Sequence, residues 1–433
     1  MQYYSYEEIM EKINHASVFG SMPGVEISRI LLEKLDHPEQ GIPFVHVAGT
    51  NGKGSVCAFL TQILMECGLK VGTFTSPHLI HFEERITVNR EQIAKEDVER
   101  LGNRLLKLPL DVAPTMFDYC MAMALLYFKE QQCDILIMET GLGGRLDSTN
   151  AIGIPEVSVI TKIGFDHMAI LGNTLGEIAA EKAGIIKPGT YLVMERQEPE
   201  AAEVLHRVIR QTGIPKQSAP GRADKGDACV EYTEVSDADL AWVKSQKLGL
   251  LGTHQWENAA AATLAAEYLL KRRFPSWDEA ERKRVIAQGL GKTCWPGRME
   301  VLSEEPFLLV DGAHNGHGVK ALFDSLTYLY PGERFHFIMG VMADKDYGQM
   351  VSCLLPLADR FGTVTPENHR ALQAAELSAL IGQYGIPTDT YESIQDVVTD
   401  ILQTPQYDDK IVAFGSLYFI GELKAAWEMR RKA

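Results

Sequence analysis

The apolar run Phe44-Val45-His46-Val47 leads directly into Ala48-Gly49-Thr50-Asn51-Gly52-Lys53-Gly54-Ser55. Beyond it, Val56, Phe59, Leu60, Ile63, Leu64 and Cys67 recur at helical spacing. Strand, glycine-rich turn, lysine, hydroxyl and helix, in that order, make a phosphate-binding arrangement. The glycines let backbone N–H groups approach a polyphosphate, the helix N-terminus adds a partial positive charge, and Lys53 adds a full one. Gly54 separates Lys53 from Ser55, so the spacing departs from the usual GxxxxGK[ST] pattern. A bare glycine turn is most often structural. The strand before this one, the lysine within it and the helix after it favour a nucleoside triphosphate site.

The rest of the first half alternates strand and helix patterns. Lys70–Thr75 reads as a strand ending at Ser76-Pro77-His78, and Phe117, Met121, Ala124, Leu125 and Phe128 mark a helix. Ile135–Met138 is an apolar strand ending in Glu139, and Val157–Thr161 is another, ending near Asp166-His167. Such alternation implies a parallel sheet with helices on its faces, whose ligands lie beyond the carboxyl ends of the strands. Gly49–Ser55, Ser76, Glu139 and His167 all fall at such ends. The stretch from about 190 to 250 carries acidic clusters and short β-like runs, and no chemistry is read from it. Gly and Pro punctuation around Gly289–Arg298 marks a domain junction. The alternation then restarts, with strands at Phe307–Val310, Phe335–Val341 and Ile411–Phe414, a helix over Val319–Tyr328 and a last helix from about Tyr418.

A chain of 433 residues exceeds one ordinary core, so two unequal domains are expected, at 1–294 and 295–433. Its formal net charge of −16 argues against sequence-independent nucleic-acid binding. Seven scattered cysteines show no paired spacing, which fits reduced thiols and a cytoplasmic protein. No run is long enough to span a bilayer and the first residues lack an apolar signal core, so no membrane partner is expected. A monomer is expected, since nothing suggests a large apolar interface.

Individual residues carry different weight. Glu139, beside a phosphate loop and followed by Thr140-Gly141-Leu142-Gly143-Gly144-Arg145, is well placed to hold Mg²⁺. A lone His167 is usually structural, and only its place near a strand end raises it. Lys182, in Ala180-Glu181-Lys182-Ala183-Gly184, reads as an exposed helical lysine that its spacing does not mark. Asp311 and His314 follow a strand in the second half, where Asp-Gly is also a common turn signal. Arg298 could hold a phosphate bidentately or only decorate the surface.

Taken in order, further motifs join these: Thr75-Ser76-Pro77-His78-Leu79, Glu84-Arg85-Ile86, Glu139–Asp147, Asp166-His167 with Leu171-Gly172, Glu181–Ile185, Pro296-Gly297-Arg298, Asp311–Asn315 and Gly415-Ser416-Leu417-Tyr418. The set resembles the folylpolyglutamate synthase family, in bacteria often bifunctional with dihydrofolate synthase, among the Mur-type ATP-dependent amide ligases. It covers nearly the whole chain apart from about 190–250.

The resemblance implies an α/β fold: a P-loop, Mur-ligase-like parallel-sheet ATPase domain followed by a smaller Rossmann-like domain. It implies that ATP phosphorylates a carboxylate of a folate or dihydropteroate, and that L-glutamate attacks the acyl phosphate to give an amide, ADP and phosphate. Gly49, Thr50, Asn51, Gly52, Lys53, Gly54 and Ser55 would cradle the phosphates. Ser76 and Glu139 would hold one Mg²⁺, and His167 with Glu139 a second, while a monovalent cation is left open. Lys182 matches the family lysine that is carbamylated, which turns a cation into an anionic metal ligand. Asn258 matches the adenine-side motif, and Arg298, Asp311 and His314 would complete the nucleotide site if the domains close over it. Lys53, Lys182 and His314 are the expected catalytic residues. Gly24, Val25, Glu26, Ile27, Phe117, Asp118, Leu146, Asp147 and Ser148 match regions lining the pterin side, with Ser416 added on the second domain.

Three residues depart from the family pattern: Asp118 for Glu, Gly316 for Pro, and Phe414 for a small or hydroxyl residue. The first bears on the pterin preference, since the carboxylate is one methylene shorter. Two rivals remain open. A cell-wall Mur ligase would carry an N-terminal UDP-binding domain, for which a phosphate loop near residue 49 leaves no room. A nucleotide-dependent binding module would leave Asp311–Asn315 and Lys182 without a role.

Overall fold

In the computed structural model, residues 3–16, 25–212, 230–403 and 410–432 are described. The chain divides into two compact units, Met1–Leu248 with Trp256–Thr293, and Gly249–Gln255 with Cys294–Ala433. The segment 249–255, expected with the first domain, thus belongs to the second unit. Its anchor there is Ser325, whose Oγ accepts the Thr253 amide at 3.0 Å.

The first unit is built on strands β1 (Phe44–Ala48), β2 (Val71–Phe74), β3 (Ile86–Val88), β4 (Glu91–Gln92), β5 (Ile135–Glu139), β6 (Val157–Ile160), β7 (Tyr191–Met194) and β8 (Glu231–Glu234). They form one sheet in the order β4-β3-β2-β5-β1-β6-β7-β8. β3 and β4 pair antiparallel at one edge, and the remaining strands are parallel. The central strands β2, β5, β1 and β6 are buried along their whole length. Continuous apolar runs, rather than alternating ones, are what a parallel sheet covered on both faces requires.

The helix Lys53–Glu66 lies against this sheet and is buried from Ser55 to Leu64. It also packs on the helix Glu279–Lys292, so tightly that a Cβ on Gly289 would lie 2.6 Å from Ile63 Cα. Gly289–Lys292 is helical, and the units separate between Thr293 and Cys294, within the 289–298 stretch. Gly289 serves close helix–helix approach.

In the second unit, β9 (Glu300–Glu304), β10 (Phe307–Val310), β11 (Phe335–Met339), β12 (Ala358–Thr363), β13 (Thr388–Thr390) and β14 (Lys410–Phe414) form a sheet in the order β13-β12-β11-β14-β10-β9. Only β9 runs antiparallel. Its core centres on Phe337, whose ring lies 5.4 Å from Phe361 and 5.7 Å from Phe414. No helix among the described residues is long and apolar enough to cross a membrane.

Candidate functional site

Strand order sets the geometry of the first unit's site. β5 lies between β2 and β1, with Glu139 in register with Val47 and Phe74 with Met138. The carboxyl ends of three parallel strands therefore present the phosphate loop, Glu139 and Ser76 side by side. The Ser76 amide donates to Glu139 Oε2 at 3.1 Å, and Lys53 Nζ lies 4.0 Å from Glu139 Oε1.

The loop is held from its far side by the segment after β6. The amides of Thr50 and Asn51 both donate to the Lys162 carbonyl, at 3.0 and 3.3 Å. Thr161 Oγ1 donates to the Asn51 carbonyl at 2.7 Å, and Thr50 Oγ1 donates to the Gly164 carbonyl at 3.0 Å. Two glycines make this approach possible. A Cβ on Gly49 would meet Thr161 Oγ1 at 1.7 Å, and one on Gly52 would meet Asn258 Oδ1 at 2.2 Å. Gly52 also has φ +91°, a left-handed conformation that disfavours side chains. Thr50 and Asn51 spend their amides on Lys162, and the helix begins at Lys53 with its first-turn amides at the loop. Such amides lack intrahelical acceptors and sit at the positive end of the macrodipole. Asn258, buried on the helix Gln255–Arg273, stands against this turn.

Lys182 corrects the sequence reading. It is 4% exposed, not a surface lysine, and its Nζ donates to the Gly49 carbonyl at 2.8 Å. The helix Leu175–Lys182 ends against the Gly143-Gly144 turn, where a Cβ on Gly144 would lie 2.8 Å from the Lys182 carbonyl. Burial, with Lys53 nearby, pulls the Lys182 pKa down to about 7, although Asp166 and Asp147 oppose this. The amine is thus substantially uncharged at neutral pH.

Ser76 and Glu139 offer hard oxygen donors, which fit a magnesium ion that keeps water and phosphate oxygens as its other ligands. Among the described residues, no three His, Cys, Asp or Glu side chains converge as a metal-holding group. His167 lies seven residues beyond the end of β6, at φ +50°, with a half-exposed side chain whose Nε2 is 3.9 Å from Asp166 Oδ1.

The expected pterin-side residues form a separate buried polar node. Asp118 Oδ1 accepts from Ser28 Oγ at 2.5 Å and Ser148 Oγ at 2.8 Å. Its Oδ2 accepts from the Thr115 amide at 2.8 Å and Thr115 Oγ1 at 2.7 Å. Thr115 and Asp118 form the capping box of the helix Met116–Glu130. Asp147 turns its carboxylate inward: Oδ2 accepts the Gly141 and Leu142 amides, both at 2.8 Å, and Oδ1 accepts Thr149 Oγ1 at 2.5 Å. Thr149 in turn lies 2.8 Å from Nε2 of His46, which burial keeps neutral with a pKa near 3. Phe117 packs beneath the same turn, its Cζ 2.6 Å from where a Gly141 Cβ would be. Leu146 is exposed, Val25 precedes the helix Glu26–Lys34, on which Glu26 is exposed beside Arg29 and Ile27 is buried, and Gly24 lies outside the described residues.

In the second unit, Arg298, Asp311, His314 and Ser416 gather at the ends of β10 and β14. Asp311 Oδ2 accepts the Met299 amide and Oδ1 the Ala313 amide, both at 2.8 Å. Met299 is left-handed at φ +44°, a turn that Asp311 braces. A Cβ on Gly312 would lie 2.2 Å from Arg298 Nη1, so the guanidinium rests on bare backbone. His314 Nδ1 is 2.8 Å from the Gly312 carbonyl, and Ser416 Oγ accepts the Tyr418 amide at 3.1 Å. The three departures from the family pattern sit in ordered places. Asp118 closes a capping box, Gly316 opens the helix Gly316–Leu329 capped by Asn315, and Phe414 is buried core.

Sequence reasoning missed Thr161, Lys162 and Glu195, which fix the rear of the phosphate loop. Glu195 follows β7 directly, as Glu139 closes β5. Reading every parallel strand end for a carboxylate would have found it.

Comparison with known proteins adds an independent line. The Mur ligase middle domain family matches residues 47–266, and the Mur ligase glutamate ligase domain matches residues 297–417. A Bacillus subtilis dihydrofolate synthase/folylpolyglutamate synthase is 38% identical over 97% of this chain and 98% of its own. The structure of Escherichia coli FolC in complex with DHPP and ADP superposes with a TM-score of 0.82 at 25% identity, covering 99% of both chains. That of a Yersinia pestis bifunctional folylpolyglutamate synthase/dihydrofolate synthase, complexed with AMPPNP and Mn ion, does so at 0.81 and 25%, covering 98% of each.

Proposed function

The chain belongs to the folylpolyglutamate synthase/dihydrofolate synthase family of Mur ligases, and from that premise we propose how its residues carry out ATP-dependent ligation of L-glutamate to folates and to dihydropteroate. A carboxylate is a poor electrophile at neutral pH. Transfer of the ATP γ-phosphoryl group supplies a leaving group, and the glutamate amine then displaces phosphate from the acyl carbon to give the amide. The difficulty is charge, because two anions must meet. Lys53 and the amides of the following turn face the phosphates. Ser76 and Glu139 would hold a divalent cation, which when bound would offset charge on the phosphate oxygens. Lys182 would extend that donor set once carbamylated, and His167 with Glu139 would hold a second divalent cation.

Asn258 would take the adenine side, and Arg298, Asp311 and His314 would be nucleotide-binding residues of the second unit. Phe117, Asp118 and the Leu146–Ser148 stretch would line the pterin side. We place the protein in the cytoplasm as a monomer. The observation that carries this reading is the alignment of Lys53, Glu139 and Ser76 at three adjacent strand ends.

Phosphate release tests it. Release is expected only when ATP, L-glutamate and either dihydropteroate or tetrahydrofolate are present together. Release that ignores the amine and the pterin would leave a nucleotide-hydrolysing module instead. Running the two pterins side by side fixes the preference. Lys53→Ala is expected to abolish release in both.

A further inference from the structure

Glu195 lies in the stretch from which the sequence analysis read no chemistry. It is 2% exposed. Its Oε2 accepts the Lys162 amide at 2.7 Å, and its own amide donates to the Ile160 carbonyl at 2.9 Å. The carbonyl of the same Lys162 accepts the Thr50 and Asn51 amides. One residue therefore joins Glu195 to the first half of the phosphate loop. The Lys162 ammonium is engaged elsewhere: Nζ donates to the Arg196 carbonyl at 3.0 Å and pairs with Glu198 at 3.2 Å.

Glu195 Oε1 is buried with no hydrogen-bond partner among the described residues, and so is Glu257 Oε2. The charged groups acting on Glu195 are Glu257, from the helix that carries Asn258, and Lys162. Arg196 lies 3.9 Å from Glu257 but pairs more closely with Asp237, at 2.6 Å. Burial first, and Glu257 second, push the Glu195 carboxyl up to about 8.

We propose that Glu195 is a positioning residue for the phosphate loop, acting through the Lys162 peptide as an uncharged acid that supplies an acceptor without placing a negative charge behind the triphosphate. A carboxylate there would oppose the bound nucleotide, and the low local dielectric would magnify the repulsion. A protonated acid keeps the hydrogen bond and removes the charge. The proposal rests on the reading of the loop as an ATP site.

The test uses the full chain with Glu195→Gln and Glu195→Ala, measuring KM for ATP and for the pterin, and kcat, from pH 6.5 to 9.5. Glu195→Gln preserves the acceptor and is expected to keep the wild-type ATP KM at pH 7. Glu195→Ala is expected to raise it about tenfold, the usual scale for one lost buried hydrogen bond, with the pterin KM unchanged. Above pH 8 the wild-type ATP KM is expected to climb, and that of Glu195→Gln to stay flat. A wild-type ATP KM in Glu195→Ala, an equal rise in both KM values, or a Glu195→Gln variant as impaired as Glu195→Ala at pH 7 would each overturn the role. If Glu195→Ala does not fold, the alkaline limb decides: an identical climb in wild type and Glu195→Gln refutes the proposal. Calorimetric titration with a non-hydrolysable ATP analogue reads the same differences without ligation. A failure of the ligase reading is thereby separated from a failure of this one.

Discussion

Lys182 donates a 2.8 Å hydrogen bond to the carbonyl of Gly49, the residue at which β1 turns into the phosphate loop. A buried amine with a pKa near 7 presents a free lone pair at neutral pH, the form that adds carbon dioxide. Lys182→Ala is therefore expected to lower kcat by about 10²-fold or more, the scale of losing one charge-stabilising group, with partial recovery in short carboxylic acids. The check is turnover with and without acetate, alongside a ¹³C carbamate signal from labelled bicarbonate in the wild type. Undiminished turnover in the variant would remove Lys182 from the machinery.

Gly52 and Gly68 make a matched pair for the loop. Both are left-handed, at φ +91° and +80°, but a Cβ on Gly52 strikes Asn258 whereas one on Gly68 meets nothing within 4 Å. Gly68→Ala is expected to cost about 1 kcal/mol, the backbone term alone. Gly52→Ala should cost about 1–3 kcal/mol more through overpacking and weaken ATP binding. Urea denaturation and nucleotide titration of the two variants settle the comparison. Equal losses would mean that Asn258 yields without consequence.

Asp118 fills its acceptor positions with two serines and the Thr115 cap. Its removal orphans Ser28 and Ser148 and breaks a capping box, a loss of about 2–4 kcal/mol in all. Asp118→Ala is expected to raise the pterin KM while leaving that for ATP near wild type. Ser148→Ala should reproduce the KM effect at a smaller cost in stability. An unchanged pterin KM in both would show that this node serves the fold alone.

Proton linkage at Glu195 gives a stability signature. The folded-state pKa, near 8, lies above the unfolded value of about 4.5, so the native state holds more protons than the unfolded chain between those limits. Stability contributed by the protonated acid is complete below pH 4.5 and declines as pH rises to 8. Glu195→Gln should lose that downward slope, which paired denaturation curves at pH 5 and pH 8 measure. Parallel slopes would place the proton elsewhere.

The strand-and-loop logic was legible because parallel strands buried on both faces leave continuous apolar runs, and because Gly49–Ser55 punctuates one of them. Glu139 and Ser76 followed from the rule that ligands gather at strand ends. Lys182 was not legible: no local spacing announces that a helix will end against bare glycine backbone and bury its last residue. Glu195 was hidden by the weak patterning of its neighbourhood, although its place after β7 obeys the rule that found Glu139. The saturation of Asp118 depends on Ser28 and Ser148, 90 and 30 residues away along the chain, which no short motif encodes.

The chain crosses between its two units three times, after Leu248, after Gln255 and after Thr293. A cut at residue 294 therefore does not release an intact carboxyl-terminal piece, because Thr253 and His254 would be stripped from Ser325. Fragment expression will need the 249–255 segment grafted back by a linker, or supplied as a peptide. The carboxyl-terminal unit is thus made of two separate stretches of chain rather than one.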